Sequence, residues 1–129
     1  MKRIKKEDRK ILLKAQQGEL DAVLMYKALA AAVKNKHDAA VFRQLAAEEG
    51  HHAAVFRSLT RQNLKPKKTM AIILPILYKV LGKRKLYPLI AKGEYSAVKT
   101  YAPVAAKFAQ VKSIKKDEKR HGDTVMKLL

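Results

Sequence analysis

The sequence predicts an all-α fold, a four-helix bundle of two helical hairpins joined by a crossover that contains a short extra helix. Two observations predict this fold. The 129 residues are rich in Ala, Leu, Lys, Glu and Gln, which favour helices, and no stretch alternates apolar and polar residues as a strand does. A nine-residue pattern also occurs once in each half of the chain. At this length we expect one domain over residues 1–129.

The first hairpin is predicted from helix-favouring residues that a polar turn interrupts once. Helix 1 is expected over residues 7–33, and residues 35–38 (Asn-Lys-His-Asp) form the turn. Asp38 is the predicted N-cap of helix 2, because an aspartate carboxylate accepts hydrogen bonds from the free N–H groups of a first helical turn. Helix 2 then extends to about Gln62.

The second half is predicted to contain a polar connector and three helices. The connector covers residues 63–69, the short apolar helix 70–81, helix 4 residues 86–102, and helix 5 residues 109 to the C-terminus. We expect a break after helix 4 near Pro103, because a proline inside a helix lacks the N–H donor and clashes with the preceding turn.

The repeated pattern locates the residues that carry chemistry. Gly-Glu-x-x-Ala-Val-x-x-Tyr occurs at residues 18–26 and again at 93–101. A Glu-x-x-His motif follows each copy, at residues 49–52 and 118–121. Each hairpin therefore contributes one single glutamate and one Glu-x-x-His.

Six residues of these motifs are predicted to form one metal site: Glu19, Glu49, His52, Glu94, Glu118 and His121. Residues three apart in a helix lie on one face, so the Glu and His of each motif can hold one metal ion together. All six also interrupt apolar seams with helical spacing, and we therefore expect them to point into the bundle. One glutamate from each of two helices plus Glu-x-x-His from each of the other two is the ligand pattern of di-iron carboxylate bundles.

Burial of four carboxylates would require cations. An isolated carboxylate in an apolar core costs several kcal/mol or becomes protonated. Two divalent ions bring four positive charges, which balance four carboxylates, and two imidazoles complete the ligand set. Oxygen and nitrogen ligands without sulfur suit two iron ions, with manganese or zinc as the alternatives.

A second register fits helix 2 equally well by spacing alone, because Glu48 and His51 are also three residues apart. The apolar seam through Phe42, Leu45 and Phe56 favours Glu49 with His52 as the buried pair. Glu48 and His51 are then expected in solvent, with contacts to the metal ligands as the alternative.

These motifs resemble those of the rubrerythrin branch of the ferritin-like superfamily, over nearly the whole chain. The resemblance rests on Leu-Ala-Ala-Glu-Glu at residues 45–49 before His52 and on Asp-Glu-Lys-Arg-His at 117–121. It implies a ferritin-like bundle whose di-iron centre reduces hydrogen peroxide or dioxygen, or oxidises Fe(II). It further implies terminal carboxylate ligands at Glu19 and Glu94, bridging ligands at Glu49 and Glu118, and nitrogen ligands at His52 and His121.

The chain departs from rubrerythrins in two respects. Longer members carry a four-cysteine rubredoxin-type iron domain that supplies electrons, whereas this chain has no cysteine, so electrons would come from another protein or from Fe(II) itself. Rubrerythrins also tend to carry an extra glutamate where this chain has Ala97.

Two tyrosines and two glycines of the repeat leave alternatives open. Tyr26 and Tyr101 follow the single glutamates by seven residues, and they are either ordinary core aromatics or hydrogen-bond donors to ligand carboxylates. Gly18 and Gly93 precede those glutamates inside helices, where glycine is unfavourable. Their matched placement indicates close helix approach or a local bulge, with chance as the alternative.

Composition limits the other functions. The absence of cysteine excludes disulfides, cysteine-ligated metals and thiol catalysis. We find no secretory signal and no membrane-spanning segment, which predicts a cytoplasmic protein. The short apolar helix would cover a face of the bundle or form the contact of a homodimer.

The net charge is +18, from 29 Lys+Arg against 11 Asp+Glu. Such a charge indicates a solubilising surface or a footprint for nucleic acid or another acidic surface. The basic clusters are Lys2, Arg3, Lys5, Lys6, Arg9, Lys10 and Lys14 near the N-terminus, and Lys65, Lys67 and Lys68 in the connector. The chain lacks Trp and any nucleic-acid motif, which favours a solubilising surface. The alternative function is therefore a basic iron-handling protein that binds DNA or another anionic surface without rapid turnover.

Overall fold

The computed structural model describes residues 3–129, in which five α-helices and no strand occur. The helices are α1 (Lys6–Ala32), α2 (Lys36–Thr60), α3 (Thr69–Leu81), α4 (Lys83–Ala105) and α5 (Ala109–Met126). The prediction of an all-α fold with a short extra helix is confirmed. Lys2, one of the predicted basic cluster, lies outside the described residues.

The four long helices form two hairpins. α1 packs along α2, and α4 packs along α5, with links of three residues at 33–35 and 106–108. Between the hairpins, α1 meets α4 and α2 meets α5. The short helix α3 lies mainly against α1 and also touches α4.

Two apolar clusters fill the bundle, one on each side of a polar middle layer. In the first cluster, the ring of Phe42 stacks on Tyr26 with centroids 5.8 Å apart and meets Tyr87 edge-on at 5.3 Å. The second cluster contains Phe56 and Tyr101, whose rings also meet edge-on at 5.3 Å. On each long helix, the predicted metal-ligand positions fall between residues of the two clusters.

The N-cap predicted for α2 is wrong. α2 begins at Lys36, and the side chain of Asn35 accepts a hydrogen bond from the N–H of Asp38 at 3.0 Å. Asp38 is buried and accepts hydrogen bonds from Tyr87 Oη at 2.8 Å and Lys83 Nζ at 3.3 Å. Asparagine caps helices as well as aspartate does, and the carboxylate of Asp38 is engaged by α4 instead.

α4 extends beyond its predicted bounds of 86–102 at both ends and contains two prolines. It begins at Lys83 and continues through Pro88 and Pro103 to Ala105. Each proline removes one intrahelical hydrogen bond. The helix persists past Pro103 because its last turn, including Val104, is buried in the second apolar cluster.

Side chains of α1 hold the connector that precedes α3. Gln17 Nε2 donates to the carbonyl oxygen of Lys65 at 2.8 Å, and the N–H of Lys67 donates to Asp21 Oδ1 at 2.7 Å. These bonds direct residues 61–68 along α1, and α3 therefore lies on α1.

α3 exposes most of its apolar side chains. Only Leu74 is buried, whereas Ile72, Ile76 and Val80 are 62%, 56% and 74% exposed. Within residues 3–129, none of the helices combines the length and the apolar character that crossing a membrane requires.

Substitution of Gly122 by alanine is expected to destabilise the protein. A Cβ atom there would lie 2.5–2.9 Å from ring atoms of Tyr95, whose hydroxyl donates to Asp123 Oδ1 at 2.6 Å. Relative to Gly50→Ala, which shares the gain in helix propensity, the free energy of unfolding should be lower by about 1–3 kcal/mol, the usual cost of overpacking, as measured by urea denaturation. Gly50→Ala is the control, because its Cβ would meet only Val23, at an ordinary 3.7 Å. An equal loss in both variants would contradict the predicted clash.

Candidate metal centre

The structure brings the six predicted residues into one cluster at the middle of the bundle. α1 supplies Glu19, α2 supplies Glu49 and His52, α4 supplies Glu94, and α5 supplies Glu118 and His121. None of the six is more than 6% exposed. The apolar clusters on both sides therefore enclose a strongly polar layer.

The cluster consists of two overlapping groups of four residues. In the first group, Glu19 and His52 join Glu49 and Glu118. The second group contains Glu94 and His121, together with the same two glutamates, Glu49 and Glu118. Within each group the ligand atoms lie within 4.8 Å of one another. Glu49 and Glu118 thus belong to both groups, as bridging carboxylates would.

Each histidine directs its Nδ1 atom toward several carboxylates at once. His52 Nδ1 lies 3.0 Å from Glu118 Oε1 and 3.2 Å from Glu49 Oε1. A third carboxylate oxygen, Glu19 Oε1, is 3.5 Å away. In the same way, His121 Nδ1 lies 3.2 Å from Glu49 Oε1. Because one N–H cannot satisfy several oxygens, the side chains converge as ligands around a common centre do.

Burial makes these carboxyl groups difficult to ionise. It raises the pKa of Glu19 well above the ordinary value, and the neighbouring carboxylates of Glu49 and Glu118 raise it further. Burial likewise raises the pKa of Glu94 to about 7. The cluster therefore needs either bound protons or bound cations.

The same carboxylates raise the pKa of the two histidines and so favour the charged form of each ring. Burial alone lowers the pKa of His121, but the nearby carboxylates of Glu49 and Glu94 outweigh this effect and raise the pKa to about 11. The carboxylates around His52 raise its pKa above the ordinary value in the same manner. A metal ion that binds here must displace these protons, because only a deprotonated ring nitrogen is a ligand.

Four buried polar atoms of the cluster lack a hydrogen bond of acceptable geometry among the described residues, even where a polar atom lies close: Glu19 Oε2, Glu94 Oε2, Glu118 Oε1 and His121 Nδ1. Buried polar atoms are almost always paired in native proteins, so four in one cluster require an explanation. All four are ligand atoms of the kind that iron, manganese and zinc take. The residues therefore fit a pair of divalent cations, whose four charges balance the four carboxylates.

The two tyrosines link each hairpin to the single glutamate of the other. Tyr26 Oη on α1 donates to Glu94 Oε1 at 2.5 Å, and Tyr101 Oη on α4 donates to Glu19 Oε1 at 3.1 Å. Both rings also pack in the apolar clusters, so each tyrosine is a core aromatic residue and also a hydrogen-bond donor to a ligand carboxylate. Burial raises the pKa of both phenols, which keep their protons.

The outer nitrogen of each histidine also meets a carboxylate of the other hairpin. His52 Nε2 lies 2.8 Å from Asp117 Oδ2, and His121 Nε2 lies 3.0 Å from Glu48 Oε1. Arg120 contacts both of these carboxylates and connects them at the surface. Such pairs fix the orientation and tautomer of the ring and make it a more basic ligand.

The contact of Glu48 with His121 is the alternative that the sequence left open for this residue, whereas sequence analysis missed the contact of Asp117. Of the pair expected in solvent, His51 is exposed, whereas only 22% of the Glu48 side chain is exposed. Burial alone raises the pKa of Glu48, but hydrogen bonds from Arg120 and His121 lower it to about 2. One signal was available, because an acidic residue precedes the glutamate of both Glu-x-x-His motifs.

One side of the cluster faces an apolar cleft. A cavity of about 340 Å³ lies between α1, α3 and α4. All four glutamates and both tyrosines line it, whereas neither histidine does. Glu48 and Asp117 lie against the histidines on the opposite side, so the glutamate side of the cluster is the one that faces this cleft.

Gly18 and Gly93 both lie on the cleft. A Cβ atom at either position would meet no atom within 4 Å, so the close helix approach predicted there is wrong. The helices continue through both positions without a residue in the left-handed region, so there is no bulge of that kind either.

Comparison with known proteins gives one family match. The model of the family described as Rubrerythrin matches residues 10–129, which include the whole cluster. No curated protein matches the chain, and no solved structure matches it.

Replacement of Asp117 by asparagine is expected to weaken metal binding. The amide keeps the size of the side chain but removes the charge beside His52 Nε2. The Kd for Fe(II) should rise by about 10–100-fold, as measured by competition with a chelator. Asp123→Asn is the matched control, since Asp123 is also on α5 but contacts Tyr95 and Lys119. Equal shifts in both variants would show a general charge effect and contradict a specific role of Asp117.

The free energy of unfolding of the chelator-treated protein is expected to fall as pH rises. Folding raises the pKa of Glu94 from 4.5 to about 7 and that of His121 from 6.5 to about 11. Between its two pKa values, each group holds more protons in the folded protein than in the unfolded chain. Stability therefore falls between pH 4.5 and about 7 because of Glu94, and between pH 6.5 and about 11 because of His121.

Metal-loaded protein should instead gain stability as pH rises to about 7 and then level off, because the unfolded chain binds protons at these ligands below that pH and the metal-bound ligands do not. Urea denaturation with and without metal, between about pH 5 and 9, measures both slopes. Parallel slopes would contradict the prediction.

Proposed function

Since the chain belongs to the rubrerythrin family, we propose that it is a di-iron oxidoreductase that reduces hydrogen peroxide or dioxygen. One observation carries the proposal: the two buried ligand groups share Glu49 and Glu118. Shared carboxylates keep two metal positions adjacent, so that one substrate molecule can reach both.

Each residue of the cluster has a distinct part in this proposal. Glu49 and Glu118 would hold both ions, while each single glutamate and each histidine would hold one. Bound iron would supply Lewis acidity and electrons for cleavage of an O–O bond. The outer carboxylates would keep the histidine rings oriented.

Two tyrosines position ligand carboxylates on the side of the site that faces the cleft. Tyr26 and Tyr101 both line the cleft, and their hydroxyls donate hydrogen bonds to Glu94 and Glu19. Because their phenols keep their protons, the protons that O–O reduction consumes would come from water in the cleft.

Electrons would come from outside the chain. It contains no cysteine that could hold an iron–sulfur or rubredoxin-type centre, so the donor would be another protein or Fe(II) itself. A net charge of +18 favours an acidic donor protein, because complementary charge speeds association.

The proposal predicts that anaerobic protein takes up about two Fe(II) ions per chain, as the ligand pattern requires. Hydrogen peroxide or dioxygen should then oxidise the bound Fe(II) faster than it oxidises Fe(II) free in solution, as followed by stopped-flow absorption. Glu118→Ala should lower affinity and oxidation rate at least about tenfold, because it removes a ligand of both ions. Glu7→Ala, on the exposed start of α1, is the control.

Trace uptake of iron, or oxidation no faster than that of free Fe(II), would overturn the proposal. If Glu118→Ala lost stability but kept the wild-type rate, the cluster would be a structural metal site only.

A further inference from the structure

The cleft beside the metal centre is larger than hydrogen peroxide or dioxygen needs. Its volume is about 340 Å³, whereas a water molecule occupies about 30 Å³ of liquid and an apolar cavity of about 150 Å³ already binds benzene. Metal ions held by the four glutamates would occupy the polar end of this volume, and a substrate of two oxygen atoms beside them would leave the apolar end between α1, α3 and α4 unused.

The walls of the cleft are apolar and come from three helices. α1 contributes Ala22 and Met25, α3 contributes Leu74 and Leu77, and α4 contributes Leu86 and Ile90. At the rim, Met70 and Leu89 are 43% and 55% exposed, so an apolar molecule would meet apolar surface before it enters.

The floor of the cleft is the reactive part. Glu19 and Glu94 line it at 1% and 6% exposure, and the Oε2 atom of each has no hydrogen-bond partner among residues 3–129. An apolar chamber with unpartnered ligand atoms at one end suits a molecule with a hydrocarbon body and a reactive oxygen group at its tip.

The matched glycines keep this chamber open. Gly18 on α1 and Gly93 on α4 line the cleft, and no atom lies within 4 Å of a Cβ built at either position. Glycine is unfavourable inside a helix, and helix packing does not require it here. A side chain at either position would instead occupy space in the cleft.

We infer that the cleft binds the hydrocarbon part of the substrate and that the protein reduces alkyl hydroperoxides. This inference rests on the proposed function. The O–O bond of the hydroperoxide breaks with two electrons and two protons, which gives one alcohol and one water. The electrons come from the external donor protein or Fe(II) already named.

Binding to chelator-treated protein tests the cleft without any turnover. The probe is cumyl alcohol, the product of cumene hydroperoxide, titrated by calorimetry. Wild-type protein should bind one molecule, and Gly93→Leu and Gly18→Leu should each weaken binding at least about tenfold by filling the cleft. Ser96→Leu is the matched control, because Ser96 is exposed on α4 outside the cleft.

Circular dichroism checks that both glycine variants keep the helical fold. The inference is overturned if wild-type protein does not bind the alcohol, or if all three variants bind it equally. It is also overturned if light scattering shows a dimer whose formation expels the alcohol, because a second copy of the chain would then cover the cleft.

Turnover of iron-loaded protein separates this inference from the proposed function. We expect the ratio of kcat/KM for cumene hydroperoxide to kcat/KM for hydrogen peroxide to fall at least about tenfold in Gly93→Leu and to stay at the wild-type value in Ser96→Leu. Reduction of hydrogen peroxide but not of cumene hydroperoxide would overturn the inference and leave the proposed function intact. If neither peroxide is reduced, the proposed function is overturned, and the reduction of alkyl hydroperoxides with it. The titration with cumyl alcohol would still show whether the cleft binds a hydrocarbon group.

Discussion

Four carboxylates buried in the middle of an apolar bundle cannot all keep their charges unless cations join them. Desolvation and mutual repulsion oppose their ionisation, as the raised pKa values of Glu19 and Glu94 show. The apolar clusters on either side exclude water and so increase this cost. The same enclosure strengthens the attraction of a metal ion, because charges interact more strongly in a low dielectric. Cation binding at this cluster would therefore be coupled to the stability of the bundle.

The halves of the repeat depend on each other. Each hairpin holds its own Glu-x-x-His, but the tyrosine that orients its single glutamate and the carboxylate that orients its histidine come from the other hairpin. The four contacts form two matching pairs, and the centre is pseudo-symmetric down to individual hydrogen bonds. Its surroundings are not symmetric, because α3 lies only on the side of α1 and α4. That difference places the apolar cleft on one side of the centre, between α1, α3 and α4.

The parts of the site that depend on the spacing of residues within one helix could be predicted from the sequence. The i, i+3 motif and the apolar seam are properties of single helices, and they located the six residues that the structure brings together. Contacts between helices are not local. His52 and Asp117 are 65 residues apart, and no spacing rule pairs them. The wrong N-cap has the same origin, since Asn35 and Asp38 are equivalent caps chemically until Tyr87 engages Asp38 from another helix. The cleft likewise depends on where α3 lies, which the connector determines.

The exchange of contacts between hairpins also bears on how the protein is made. Tyr101 follows its partner Glu19 by 82 residues, and Glu118 belongs to the last helix. During synthesis the first hairpin emerges with Glu19, Glu49 and His52 but without these partners. Its carboxylates must stay hydrated at that stage, because nothing yet neutralises them. The six-residue cluster can form only after α5 has been synthesised, so a metal ion held by all six residues would enter after the chain is complete.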